Sequence, residues 1–329
     1  MLEAIAQINL KIPYLQQDVY KTDANYLFRI MQLLSILFLD NFPKLQLMTT
    51  RKKRKKSLFI LLTITISLCL LILYGFIIEP NRFVVTRHQL SQQFASKNNS
   101  FKVVQISDLH LKQFNSRAQL IAEQVNKLNP NVVLFTGDSI DKAEQIKGFS
   151  RFLSLLNKQT VKYAIMGNWE YWAGVDLEHL TKIYATYNCR LLINESTLYN
   201  YGERTILITG LDDLVGKPDL IRSLQGVPPQ PNHLLLAHSP AYRDSFSSDE
   251  LAKIRQYKPQ YMLSGHTHGG QLSLFGFTPL RPNGSGRYVS GWYRDGAIAM
   301  YVSRGLGVSI LPVRIGVVPE IGYFEWFLN

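Results

Sequence analysis

From Leu58 to Ile78 the chain reads LFILLTITISLCLLILYGFII, without a charge or a proline. A run of this length crosses a bilayer as a helix, which takes about 20 residues. A core helix of a soluble protein keeps a polar face, and this segment has none. A cleavable signal has a shorter apolar centre followed by a small-x-small site, which is missing here. The pattern therefore predicts an uncleaved transmembrane helix over 58–78. After Glu79-Pro80 it changes to short apolar runs alternating with amphipathic stretches, and no internal repeat appears.

KVVQIS (102–107), VVLFTG (132–137), YAIMG (163–167), RLLIN, TILITGL, HLLLAH and YMLSG (261–265) read as strands. SRAQLIAEQVNKL (116–128) reads as an amphipathic helix with Leu120, Ile121, Val125 and Leu128 near one face, ending before Pro130. Residues 142–156 and 175–187 read as further helices. Strand–helix alternation predicts an α/β architecture. The C-terminal runs QLSLFGF, GRYVSGWYR, AIAMYVS and PVRIGVV are strand-like with glycine-rich links, so antiparallel, meander-like pairing is expected there. A mixed sheet, or two sheets, accommodates both halves.

The net charge of +12 over 329 residues would suit a nucleic-acid partner, but its distribution does not. Residues 1–78 hold ten Lys and Arg against four Asp and Glu, half of the excess, and the densest run, RKKRKK (51–56), directly precedes the apolar segment. That placement marks a membrane flank and, by the positive-inside rule, a cytoplasmic N-terminus with the large domain outside. No basic stripe interleaved with aromatics is evident in residues 79–329, so nucleic acid is not the expected partner. Residues 1–57 form a basic N-terminal segment. Within it LFRIMQLLSILFL (27–39) is apolar but short and carries Arg29. It suits an interfacial helix or a marginal second span. Alternatively translation starts at Met48, since MTTRKKRKKSLFILL has the short, basic, then apolar form of a signal anchor. Cys69, inside the apolar run, and Cys189, alone, provide neither a disulfide framework nor a thiolate metal site.

Ligand-type side chains recur at the strand ends. SDLH supplies Asp108 and His110, TGDSID supplies Asp138 and Asp141, and GNWE supplies Asn168 and Glu170. HLLLAH ends at His238, and YMLSG runs into GHTHGGQ with His266 and His268. Singly, each has an ordinary reading: Asp108 in a turn, Asp138 as a helix cap, Asn168 in a turn, His238 in a loop. Together, five strands deliver Asp, His, Asn and His to the carboxyl edge, where α/β sheets bind ligands. Carboxylates with imidazoles and no thiolate suit divalent manganese, iron or zinc. Seven such groups exceed the needs of one ion and match two that share a carboxylate. Two ions about 3.5–4 Å apart clamp a transferring phosphoryl group.

The set D-x-H, GD-xx-D, GN-x-E, a lone His and GHxHGGQ, in that order, resembles the calcineurin-like metallophosphoesterases over about residues 100–325. The tail runs RYVSGWYR, YVSRGLG and LPVRIGVVPEI resemble a membrane-anchored phosphodiesterase branch, some members of which are similar to UDP-2,3-diacylglucosamine diphosphatases. The resemblance implies a four-layer α/β/β/α sandwich of two mixed sheets in residues 79–329, preceded by the transmembrane helix. It implies two divalent ions, manganese first, with iron, zinc or magnesium as alternatives. Asp108, His110 and His268 would hold the first ion and Asn168, His238 and His266 the second. Asp138 would bridge them, and Asp138, Asn168 and His110 would be the catalytic residues. Asp141 would orient a ligand. The implied reaction is hydrolysis of a phosphodiester or pyrophosphate bond, in a lipid-linked substrate.

One position departs from the family pattern. Where GN-x-E normally carries His, this chain has Trp169, whose indole donates a hydrogen bond but cannot deliver a proton near neutrality. General-acid help is typically worth about 10²–10⁴-fold, so either catalysis is lowered to a metal-binding scaffold or the substrate needs no such help. Trp169 and Trp172, with Tyr171, either wall a substrate or pack the core. Glu170 is a further candidate beside the site. Asp212 and Asp213 either touch substrate or cap the next helix, the cap being favoured. Arg304 and Arg314 either form a phosphate fork or pair within the protein.

Overall fold

The computed structural model describes residues 51–90, 100–274 and 276–329; the apolar stretch 27–39 and the rest of 1–50 lie outside the described residues. The chain falls into two units, Met1–Ser67 and Leu68–Asn329, divided within the first described helix.

That helix, α1 (Arg51–Leu73), continues through a π-helical turn, Tyr74–Ile78, and a 3₁₀ turn, Glu79–Asn81. Ser57–Asn81, at a mean hydropathy of 2.6, is the one helix among the described residues long and apolar enough to cross a membrane. Two of its hydroxyls are satisfied within the helix: Thr63 and Thr65 each donate to the carbonyl four residues back, at 2.9 Å. Backbone and hydroxyl groups in hydrocarbon have no water to turn to, so this self-sufficiency is what a span requires.

The larger unit contains two mixed six-stranded sheets. Its strands are β1 (Val84–Leu90), β2 (Ser100–Ile106), β3 (Val132–Thr136), β4 (Val161–Ile165), β5 (Cys189–Leu191) and β6 (Glu195–Tyr201). They continue as β7 (Arg204–Gly210), β8 (Asn232–Leu236), β9 (Tyr261–Ser264), β10 (Gly291–Tyr293), β11 (Ala299–Val302) and β12 (Glu320–Phe327). One sheet runs β1-β12-β2-β3-β4-β5 and the other β10-β11-β9-β8-β7-β6. Helices α2 (Ser116–Leu128), α3 (Ile146–Leu155), α4 (Asn168–Trp172) and α5 (Leu177–Thr186) follow strands of the first sheet. Helices α6 (Leu220–Ser223) and α7 (Ser248–Tyr257) follow strands of the second.

Strand alternation builds the layers. In β3, Val133 and Phe135 pack on Ile121, Val125, Phe149 and Phe152 of α2 and α3. Val132 and Leu134 face the other way and meet Ile208, Leu234 and Leu263 of the second sheet. In that sheet Leu207, Leu235 and Met262 turn outward onto Leu220, Ile254 and Tyr257. Helix, sheet, sheet, helix is the four-layer sandwich that the family resemblance implies.

Several local expectations differ from the structure. Helix 116–128 has the expected bounds, with Asn115 capping Ala118 N–H, but Leu120 is 54% exposed. The buried stripe is Ala118, Ile121, Ala122, Val125 and Leu128, because residue 120 lies a full step of the helix away from it. The C-terminal meander reduces to one antiparallel pair, β10 with β11. QLSLFGF forms only isolated bridges, and the PVRIGVV run contributes Ile315 to one of them. β11 lies parallel to β9, and β12 is inserted between β1 and β2, parallel to one and antiparallel to the other. Asp212 and Asp213 do not cap α6; Asp219 does.

Shortening Ile121 to Ala should cost about 2–5 kcal/mol through lost burial and a cavity. Leu120→Ala should stay within about 0.5 kcal/mol. Denaturant titration of the two variants in detergent checks the stripe.

Candidate metal centre

All seven sequence-derived ligand residues converge. Asp108 and His110 follow β2, Asp138 follows β3, Asn168 opens α4 after β4, His238 follows β8, and His266 and His268 follow β9. The parallel β2-β3-β4 edge and the parallel β8-β9 edge thus meet at one cleft. Every one of the seven is buried. Ligand atoms of Asp108, His110, Asp138 and His268 lie within 4.8 Å of one another, and so do those of Asp138, His238 and His266. Asp138 belongs to both groups.

The backbone is bent to bring them there. Asp108, His110, Asp138, His266 and His268 all have positive φ, at 50°, 42°, 54°, 71° and 51°. Such conformations cost of order 1–3 kcal/mol each in a non-glycine residue and persist only where the surroundings hold them. Here the loops after β2 and β3 are laced together: Asp108 N–H donates to Gly137 O, His110 N–H to Asp138 O and Leu111 N–H to Ser139 O, at 2.9–3.0 Å. His266 N–H donates to both carboxylate oxygens of Asp108, at 2.9 and 3.1 Å. Trp169 N–H donates to Asp138 Oδ1 at 2.9 Å. Gly167 must be glycine because a Cβ there would overlap Asp138 Oδ1.

Ring tautomers follow from the outer partners. His238 Nδ1–H donates to the Thr136 carbonyl at 2.7 Å, and His266 Nε2–H to the Asn283 carbonyl at 2.6 Å. The nitrogens left over, His238 Nε2 and His266 Nδ1, carry lone pairs. They face Asn168 Oδ1 at 3.2 and 2.9 Å, each other at 3.3 Å, and Asp138 Oδ2 lies 3.1 Å from His238 Nε2. Acceptors therefore meet acceptors with no proton of their own to share, an arrangement that a cation satisfies. On the other side His110 Nδ1 is engaged by Asp141, which leaves His110 Nε2 3.0 Å from His268 Nε2. This donor set, oxygen and imidazole nitrogen with ring N–H groups held from behind, fits divalent metal ions.

The electrostatics agree. Burial would raise Asp138, but His238, His110 and His266 hold it down at about 2. Burial would lower His238, yet Asp138 raises it well above an ordinary imidazole; a proton is drawn to the place a cation would take. His266 is held low by burial and by His238, and His268 well below the usual range by burial, His110 and Arg314, which keeps both as neutral ligands.

The remaining candidates sort by contact. Glu170 accepts N–H bonds from Asp138, Ser139 and Gly167 at 2.6–3.0 Å and so braces the ligand loops. Burial and the Asp138 charge push it up to about 7, against the pull of those donors. Arg314 is fully buried and donates to the carbonyls of Gly307, Arg304 and Val317 while lying 3.3 Å from His268 Nδ1, so it backs a ligand and is no phosphate fork. Arg304 pairs with Glu320. Asp212 accepts from Tyr171 Oη at 2.6 Å, and Asp213 accepts from Ser239 beside His238. Trp169 is half-buried, edge-on to His110 with ring centres 5.7 Å apart, and Trp172, 53% exposed, packs against it at 5.6 Å. Both stand at the cleft and neither belongs to the core clusters. Two contributors escaped the sequence reading. Ser107 Oγ donates to Asp108 Oδ2 at 2.5 Å, and the Asn283 carbonyl holds His266 from seventeen residues away.

The family model described as calcineurin-like phosphoesterase matches residues 101–270, which include all seven ligand residues. The Bacillus subtilis protein YkuE, an uncharacterized metallophosphoesterase, is 31% identical over 267 residues, covering 76% of this chain and 88% of its own. The Escherichia coli protein YaeI, named a phosphodiesterase, is 30% identical over 259 residues, covering 75% of this chain and 89% of its own. A Danio rerio transmembrane protein with metallophosphoesterase domain is 29% identical over 240 residues, 68% of this chain and 52% of its own. The chain belongs to the calcineurin-like phosphoesterase family. It is a metal-dependent phosphoester hydrolase.

Asp138→Asn should remove metal from both positions, and Gly167→Ala should do the same by displacing the Asp138 carboxylate. Tyr171→Phe should keep the full complement. Metal counting by elemental analysis on the purified chain checks all three.

Proposed function

We propose that the chain is a membrane-anchored phosphoesterase that uses two divalent ions, manganese in the first instance, to hydrolyse a phosphodiester or pyrophosphate bond in a lipid-linked substrate. Asp108, His110 and His268 would hold one ion and Asn168, His238 and His266 the other, with Asp138 shared. When bound, such a pair supplies an activated water and neutralises the phosphate oxygens. The chain's own side chains hold the arrangement: Asp141 fixes the His110 ring, Thr136 and Asn283 fix His238 and His266, and Glu170 ties the loops after β3 and β4 together.

The observation that carries the choice of bond is Trp169. Its indole stands against His110 at the cleft, where the family pattern has a proton-delivering imidazole. A leaving phosphate needs little protonation, whereas an alkoxide needs much. Pyrophosphates, and diesters with acidic leaving groups, are therefore the substrates this site suits. Trp169 and Trp172 offer an aromatic wall for a sugar, base or acyl group.

For organisation, residues 1–57 are proposed as a basic N-terminal segment, 58–78 as the span and 79–329 as the phosphoesterase domain. The RKKRKK flank supports a cytoplasmic N-terminus and an extracytoplasmic domain. A UDP-2,3-diacylglucosamine-like substrate would instead require the cytoplasmic face, so an outward domain favours phosphodiesters of the cell envelope. The name of the Danio rerio relative supports the anchor.

With manganese, the purified chain should cleave bis(p-nitrophenyl) phosphate or a pyrophosphate-linked substrate far faster than an alkyl phosphomonoester. Trp169→His should raise the monoester rate by about 10²-fold or more and change the others little. Equal rates on both substrate classes would refute the leaving-group reading; no metal-dependent turnover on any would favour a scaffold. Protease shaving of spheroplasts should digest the domain, and full protection would reverse the proposed orientation.

A further inference from the structure

The end of the apolar helix is built into the larger unit. Gly75 is buried against Ile315, and its carbonyl accepts from Arg314 N–H at 2.9 Å. The Glu79 carboxylate, itself buried, accepts from Gly316 and Val317 N–H at 3.0 and 2.5 Å. This loop is in turn laced to residues 271–273. Ser273 N–H donates to Ile315 O and Ile315 N–H to Gln271 O, at 2.8 and 2.9 Å, and Ser309 N–H donates to the Gln271 side chain. Leu274 and Phe277 close a tight turn by exchanging backbone hydrogen bonds at 3.1 and 2.9 Å, with Gly276 at positive φ between them.

Among the described residues of these two loops, large apolar side chains are exposed: Phe277 is 70% exposed, Ile310 60%, Leu274 49% and Leu280 46%. Exposed apolar side chains gathered on neighbouring loops mark an interaction surface more readily than the same residues scattered singly. Residues 272–283 and 308–318 contain no Asp or Glu. Arg281 and Arg82 are exposed nearby in sequence to the turn and the helix exit, and Arg82 donates to Tyr74 Oη at 3.2 Å. Arginine and tyrosine at the end of an apolar helix are the usual residues of the headgroup zone.

We propose that residues 272–274 and 276–281 and the 309–315 loop form a platform that dips into the headgroup layer of the bilayer beside the exit of the apolar helix. This rests on reading 58–78 as a membrane span. The occupant of the apolar surface is the lipid itself: the loops that bear it are bonded to the last turns of the helix, lack acidic residues and have arginines beside them in sequence. The same loops lead straight to the metal centre. His268 precedes Gly270 by two residues, and the Asn283 carbonyl holds His266. A platform seated in the headgroups therefore sets the cleft at the level of lipid phosphates, and the substrate class it selects is a phosphoester carried by a membrane lipid and reached along the surface.

The full chain, reconstituted in vesicles of phosphatidylcholine and phosphatidylglycerol, tests this by spin labelling. Native Cys69, exposed in the apolar helix, is the reporter of the anchor, while Cys189 is buried. Phe277→Cys and Ile310→Cys, each with Cys69→Ser, report the platform, and Leu198→Cys in the same background reports a site in water. Labels at 69, 277 and 310 should collide several-fold more often with oxygen than with a water-soluble nickel chelate, and the label at 198 should do the reverse. If the Cys69 label favours oxygen while those at 277 and 310 favour nickel, the platform is refuted and the anchor stands; a protein partner would then be the occupant. If the Cys69 label also favours nickel, the span reading fails and the platform with it.

Discussion

Two buried carboxylates without a lysine or arginine partner set the terms for this protein. Among the described residues Asp108 and Asp138 form ion pairs only with imidazoles, and both are inaccessible to water. Isolated buried carboxylates are strongly unfavourable and either take up protons or acquire a counter-charge. The surrounding rings are arranged so that lone pairs, not N–H groups, meet at the centre. Cation binding and local stability are therefore one quantity here, because the same interaction relieves repulsion among acceptors and compensates five residues held at positive φ.

The sandwich serves this constraint. Neither sheet alone could supply the seven groups: the first contributes Asp108, His110, Asp138 and Asn168, and the second contributes His238, His266 and His268. The inter-sheet layer of Val132, Leu134, Ile208, Leu234 and Leu263 thus fixes the distance between the two halves of the metal centre. Interiors packed to crystal-like density resist small displacements, which suits a site whose ligands must meet within tenths of an ångström.

Much of this was legible in the sequence because the ligands sit at strand ends, where a short apolar run stops at a polar residue of a ligand type. The parallel strands β2, β3, β4, β8 and β9 each give that local signal. β12 gives none: EIGYFEWF carries its pairing information in partners 200 and more residues away, β1 on one side and β2 on the other. Leu120 was misplaced because an apolar residue on a helix need not lie in the buried stripe. Asp212 and Asp213 look like caps by position, yet they accept from the neighbouring Asp213 and Val215 N–H groups and from Tyr171 and Ser239, the last two being contacts that only the folded chain creates. The charge of Arg314 suggested phosphate, whereas its burial makes it a brace for carbonyls. Burial of a charged side chain has no one-dimensional signature. The Asn283 carbonyl is invisible for a related reason, since any residue could supply it.

The buried Glu79 carboxylate has a practical consequence for anyone who would express the chain without its apolar helix. Cutting the chain after Asn81, where the continuous helix ends, removes the acceptor of Gly316 and Val317 N–H and the Gly75 carbonyl that receives Arg314 N–H. The loop so loosened is the one that carries the arginine behind His268. Such a trimmed protein lacks contacts that hold the loop behind its metal centre. The boundary for a soluble form belongs before Gly75, with the helix stub kept and shielded by detergent.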